Sequence, residues 1–112
     1  MVGKSERQDY ITAVLAAYRL TPGITGTGRR NDRLLASDLY DRGVPLIVVR
    51  NALVLAAARR IVRSPNAPVL QPVRSLSYML PVINEVLASR ANPDYYRYLQ
   101  FKIDQALNTQ TP

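Results

Sequence analysis

The sequence predicts an all-α protein, a compact bundle of about five helices around a buried central helix over about residues 45–63. Three observations lead there. Apolar residues recur at helical spacing in several segments, no stretch keeps up the alternation of a strand, and residues 44–63 read VPLIVVRNALVLAAARRIVR. From Leu46 to Ala58 that segment is apolar in every direction of a helical wheel, interrupted only by Arg50 and Asn51. A helix apolar all round is either buried or membrane-spanning. Spanning needs about 20 apolar residues, and an arginine in mid-span is costly, so the segment is read as core. Arg59, Arg60 and Arg63 mark its return to water and suit the negative end of a helix dipole. The 112 residues are read as one helical domain, 1–112, with frayed ends at about 1–4 and 108–112.

Each element has its own signal. Ser5 with Gln8 makes a capping-box pattern for a first helix over about 6–19, whose stripe is Ile11, Val14, Leu15 and Tyr18. LTPGITGTGRR, residues 20–30, carries three of the five glycines and is a loop. A second helix over about 32–42 is expected with Asn31 as its cap, Leu35, Ala36 and Leu39 inward, and Gly43 closing it in left-handed backbone. Pro45 then suits the first turn of the central helix, where a missing N–H costs nothing. SPNAPVLQP, residues 64–72, holds three of the eight prolines and predicts an extended connector. A fourth helix is expected over about 73–89, its stripe Leu76, Met79, Leu80, Ile83, Val86 and Leu87, with a kink or break at Pro81. A fifth starts at Pro93 under an Asn92 cap and runs to about Leu107.

Composition excludes several chemistries. There is no cysteine and no histidine, which removes disulfides, thiolate metal sites and the commonest general base. The carboxylates are scattered, Ser5, Ser37, Ser64, Ser75, Ser77 and Ser89 lack an evident base, and a metal site would need Asp38, Asp41 and Glu85 to converge. A non-enzyme without cofactor or metal is expected. No signal peptide pattern follows the charged stretch at residues 4–9, so a cytoplasmic protein with no membrane association is the expectation. The net charge of +7 comes from 15 basic against 8 acidic residues, and 13 of the basic residues are arginine. Guanidinium groups bind phosphate bidentately and stack on bases, so the bias points to a polyanion; Arg-rich usage also gives basic proteins that bind nothing.

Three features carry functional expectations. DRGVPLIVVRNAL, residues 41–53, resembles a helix-turn-helix unit, with Gly43 at the turn, Val44 just after it and Val49 and Ala52 on the inner face. The side chains then due at base edges are Pro45, Leu46, Ile47, Arg50 and Asn51, of which Leu46 and Ile47 cannot read donors or acceptors. A plain helical hairpin is the alternative. Next, the glycine loop leads into Arg29, Arg30 and Arg33 at a helix N-terminus, a favourable place for an anion; the alternative is a surface loop with solvated charges. It lacks the Lys–Ser/Thr ending of a Walker loop. Residues 29–63 hold eight arginines against three aspartates. Last, the fifth helix reads DYYRYLQFK. Tyr95, Tyr96, Leu99, Ile103, Ala106 and Leu107 share its core face, leaving Tyr98 and Phe101 on the other side beside Arg97. Displaced aromatics mark a contact surface or a second core side, and aromatics interleaved with arginine can also stack on unpaired bases; protein packing is the commoner explanation.

The run NDRLLASDLYDRGVPLIVVRNALVLAAARR, the proline-rich connector and VRSLSYMLPVINEVL together resemble helical segments of bacterial mobile-element and plasmid replication proteins. The likeness covers about residues 30–90, through the RGVP turn, the alanine run before paired arginine, and SLSYMLPVI. It implies a DNA-associated accessory module and carries over no functional residue. The expected function is therefore a basic nucleic-acid-binding protein, DNA the expected target. It would contact phosphates through Arg29, Arg30, Arg33, Arg59, Arg60 and Arg63, with Arg50 and Asn51 at the start of the central helix. The alternative is an interaction subunit, a homodimer or adaptor, using Tyr98, Phe101 and Arg97 with Leu46 and Ile47.

Overall fold

The computed structural model describes residues 2–24, 30–61, 66–68, 70–89 and 91–109, and the side chains of these except at 2–5 and 109. Five α-helices follow one another: α1 Val2–Leu20, α2 Arg30–Asp41, α3 Leu46–Ile61, α4 Leu80–Ala88 and α5 Pro93–Thr109, with a 3₁₀ turn over Leu76–Met79 before α4. No strand forms among the described residues, only a parallel bridge between Ile24 and Val73. The all-α bundle around a central helix is as expected: α3 packs on α1, the 3₁₀ turn, α4 and α5, and α2 packs on α1 and the 3₁₀ turn.

The core runs along α3. Val49, Ala52, Leu53, Leu55 and Ala56 join Ile11, Val14, Leu15 and Tyr18 of α1, Ala36 and Leu39 of α2, and Leu76, Met79, Ile83 and Val86 beyond the connector. On another side of α3, Ala57 and Ala58 meet Ile103 of α5 in a small separate cluster. Alanine on both sides lets neighbouring helices approach closely, and each large buried side chain contributes roughly 1.5–3 kcal/mol.

The start of α1 departs from the expected pattern. It begins at Val2, so Ser5 lies within the helix instead of capping it, and residues 2–4 are helical where fraying was expected. Likewise α2 begins at Arg30, which places Asn31 inside the first turn. Asp32, not Asn31, does the joining there: it is buried and accepts the Leu76 amide at 2.9 Å, tying α2 to the 3₁₀ turn across the core. A buried carboxylate survives because it is hydrogen-bonded.

The fourth predicted helix is also shorter than its periodicity suggested. A proline has no N–H and crowds the carbonyl four residues back, so Pro81 takes the first turn of a new α-helix. The preceding turn closes as 3₁₀, started by Ser75, whose hydroxyl accepts the Ser77 amide at 3.2 Å. Val73 is extended instead of helical, and its amide donates to the Gly23 carbonyl at 2.9 Å, which pins the connector to the loop after α1. Leu87, expected inward, is exposed.

Candidate nucleic-acid interface

The turn between α2 and α3 forms as its sequence requires. Gly43 has φ +74°, its amide donates to Tyr40 and the Val44 amide to Leu39, a Schellman closure whose flanking Val44 and Leu39 are both buried in the core. The Tyr10 hydroxyl donates to the Val44 carbonyl at 2.8 Å, and burial pushes its pKa up. Val49 and Ala52 are fully buried, as a helix-turn-helix inner face demands. The second helix of the unit is not the exposed rod that enters a major groove, because α3 is covered by four neighbouring elements and buried from Leu55 through Ala58. On its first turns Pro45, Ile47 and Arg50 reach solvent, while Leu46 and Asn51 are half-buried. The unit is a helical hairpin within the bundle.

The seam of α1 and α2 beside this turn consumes charge. Arg7 pairs with Asp41 at 2.5 Å, donates to the Ser37 hydroxyl at 2.9 Å and lies 5.0 Å over the Tyr40 ring. Tyr40 in turn meets Tyr10 edge-on at 5.4 Å and donates to Glu6. Arg42 approaches Asp38 at 3.8 Å. Asp38 and Asp41 are thus ion-paired to arginines rather than grouped with Glu85, and among the described residues no acidic cluster could hold a metal ion.

The arginines singled out from sequence divide into two kinds. Arg59 is committed: it holds Glu85 through both guanidinium nitrogens, which lowers the carboxyl's pKa. Arg60 is held in place with no acidic partner among the described residues, donating to the Gln71 carbonyl at 2.8 Å and lying against Gly23, where an added Cβ would stand 2.8 Å from Nε. Gly23, at φ +89°, is glycine for both its backbone and this approach. Arg30, Arg33 and Arg50 are exposed, and among the described residues none has an acidic partner. Arg29 and Arg63 lie outside the described residues.

Sequence reasoning missed two groups. Arg74 is exposed with no acidic partner among the described residues, and Tyr78 is 51% exposed. The signal for Tyr78 was present: it falls off the inward stripe Leu76, Met79, Leu80, as Tyr98 falls off that of α5. Arg74 was passed over because it stood inside a segment read as helix.

On α5 the Asn92 cap is as expected, its Oδ1 accepting the Asp94 amide at 2.9 Å. The core face is narrower than expected. Tyr96 and Ile103 are buried and Leu99 and Ala106 half-buried, but Tyr95 and Leu107 are exposed. The reason is geometric: α5 rests mainly on α3, and one helix beneath another covers only a seam spaced three and four apart. Tyr98 and Phe101 are 54% and 60% exposed, which rules out a second core side against α1. Arg97 pairs with Asp94 at 3.3 Å in the open, and Lys102 sits 5.8 Å over the Tyr98 ring.

Among the described residues no helix is long and apolar enough to cross a membrane. Comparison with protein-family models, with curated proteins and with solved structures returned no match.

Proposed function

We propose that the chain is a nucleic-acid-binding accessory protein, with DNA the expected target, that holds its partner by phosphate contacts and performs no catalysis. One observation carries this reading. In a chain of net charge +7, Asp41, Asp38, Glu85 and Asp94 are paired with Arg7, Arg42, Arg59 and Arg97, and Asp32 is buried, while Arg30, Arg33, Arg50 and Arg74 stay exposed without an acidic partner among the described residues. Guanidiniums left open in this way bind phosphate oxygens and release counterions, without reading sequence. The likeness of residues 30–90 to segments of bacterial mobile-element and plasmid replication proteins agrees with a cytoplasmic, DNA-associated role. Arg30→Glu combined with Arg33→Glu tests it, since neither side chain is part of the core. Binding should weaken and the salt slope should shrink by about one unit per lost contact; unchanged affinity and slope contradict the proposal.

A second reading rests on a different observation, the exposed Tyr98 and Phe101 of α5. Large apolar side chains grouped on an exposed helix face serve protein contact, either a second copy or another chain. It predicts a mass that rises with concentration in sedimentation and that Phe101→Asp returns to the monomer without altering the melt. A mass independent of concentration excludes the homodimer.

A further inference from the structure

Two open clefts, of about 520 and 490 Å³, meet at the 3₁₀ turn and share Ser77 and Tyr78 as their common wall. Arg60 and Arg59 line the first and Arg74 lines the second. Among the described residues no acidic side chain lines either cleft. Tyr78 thus stands between arginines with half of its surface open. The apolar floor beside it is made by Leu70, Pro81 and Val82.

We propose that this double cleft is a single-stranded nucleic-acid subsite, in which an unpaired base stacks on Tyr78 while the flanking phosphates meet Arg60 and Arg74. The inference rests on the phosphate-binding reading and adds to it the strandedness of the partner. Three features support it together. A half-exposed phenol ring offers a stacking platform to any base, but only to one that is not already stacked in a duplex. Arginine lines each of the two clefts that share Tyr78. And Arg60 is pre-oriented: its bond to the Gln71 carbonyl and its seat on Gly23 fix the guanidinium, so less side-chain entropy is lost on binding. The Arg59–Glu85 pair neutralises one cation at the edge of the first cleft, which leaves Arg60 and Arg74 as the phosphate contacts.

Fluorescence anisotropy with a labelled 12-mer, single-stranded and as the duplex of the same sequence, tests this on the intact chain. The single strand should bind more tightly than the duplex. Tyr78→Leu, which keeps apolar bulk and removes the aromatic face, should weaken the single strand about ten-fold and leave the duplex unchanged, whereas Tyr78→Phe should retain wild-type affinity. Should Tyr78→Leu unfold, Arg74→Gln carries the test: a weaker single strand with a shallower salt slope and an unchanged duplex supports the subsite, and unchanged binding or an equal loss on both overturns it. Equal affinity for both oligonucleotides, or equal loss on both with Tyr78→Leu, also overturns it while leaving the phosphate reading intact. Loss of all salt dependence removes both. Competition by polyglutamate as effective as by the oligonucleotide assigns the cleft to an acidic peptide and overturns the proposal.

Discussion

Across the seam of α1 and α2, Arg7 meets Asp41, Arg42 meets Asp38 at the end of α2, and Tyr10, Ser37 and Tyr40 complete the bonding. Along the clefts beside the 3₁₀ turn, Arg60 and Arg74 meet no acid among the described residues. The two regions draw on the same residue type for opposite ends. In the first, guanidiniums are taken up by acids, and Arg7 joins α1 to α2; in the second, they line open clefts, one of them held by a backbone carbonyl. Composition alone reports the sum of both, and only the positions of the acids separate them. Changes in the first region should therefore cost stability and spare binding, and changes in the second the reverse.

The largest stability effect is expected at Asp32. Asp32→Ala leaves the Leu76 amide without its acceptor in the core and should destabilise by about 1–3 kcal/mol in a denaturant melt. Asp32→Asn, which keeps an acceptor oxygen, should lose less. A neutral Asp32→Ala would show that the bond between α2 and the 3₁₀ turn matters little. Next comes Gly43→Ala. Among the described residues nothing stands within 4 Å of the added methyl, so the change isolates the cost of left-handed backbone, about 1 kcal/mol. Oligonucleotide affinity should stay at the wild-type value; a loss of affinity would mean that the turn itself is part of the interface, contrary to the separation of the two regions.

The smallest effect belongs to the Arg59–Glu85 pair. Arg59 lowers the Glu85 pKa through its hydrogen bonds, so the folded state holds the carboxylate more firmly than the unfolded chain does. Its stabilising contribution is present above the ordinary carboxylate value and is lost as pH falls through the lowered one. Both side chains are about half exposed, so the effect is modest and screened by salt. Comparing the acid limb of the stability curve for the wild type and Glu85→Gln checks this. The two curves should converge at low pH, and curves that stay parallel would refute the assignment.

Much of the fold was legible in sequence because its strongest signals are periodic. The stripe Ile11, Val14, Leu15 and Tyr18 is buried, and the apolar run 46–58 is buried at Val49, Ala52, Leu53 and Leu55 through Ala58, while Ile47 on its first turn is exposed. Gly43 and Asn92 do what their chemistry requires at helix ends. The misses share a cause, which is that periodicity does not see tertiary partners. Asp32 reads as a first-turn helix acid and is a buried acceptor; Val73 reads as helix and is pinned to the loop at Gly23. Of the candidate site, Arg59 and Arg60 were found as charges, but their partners Glu85 and Gln71 lie 26 and 11 residues away. No local rule connects them. Tyr78 and Arg74 needed the break before Pro81 to be placed before they could be seen as neighbours of a cleft.

The central claim is that open guanidiniums bind a polyanion. It is tested most directly by the slope of log affinity against log salt for the wild-type chain on single-stranded and duplex oligonucleotides. With three or more phosphates engaged, a slope of about −2 or steeper is expected on both, with the single strand bound more tightly. A slope near zero, or no binding at low salt, would contradict it.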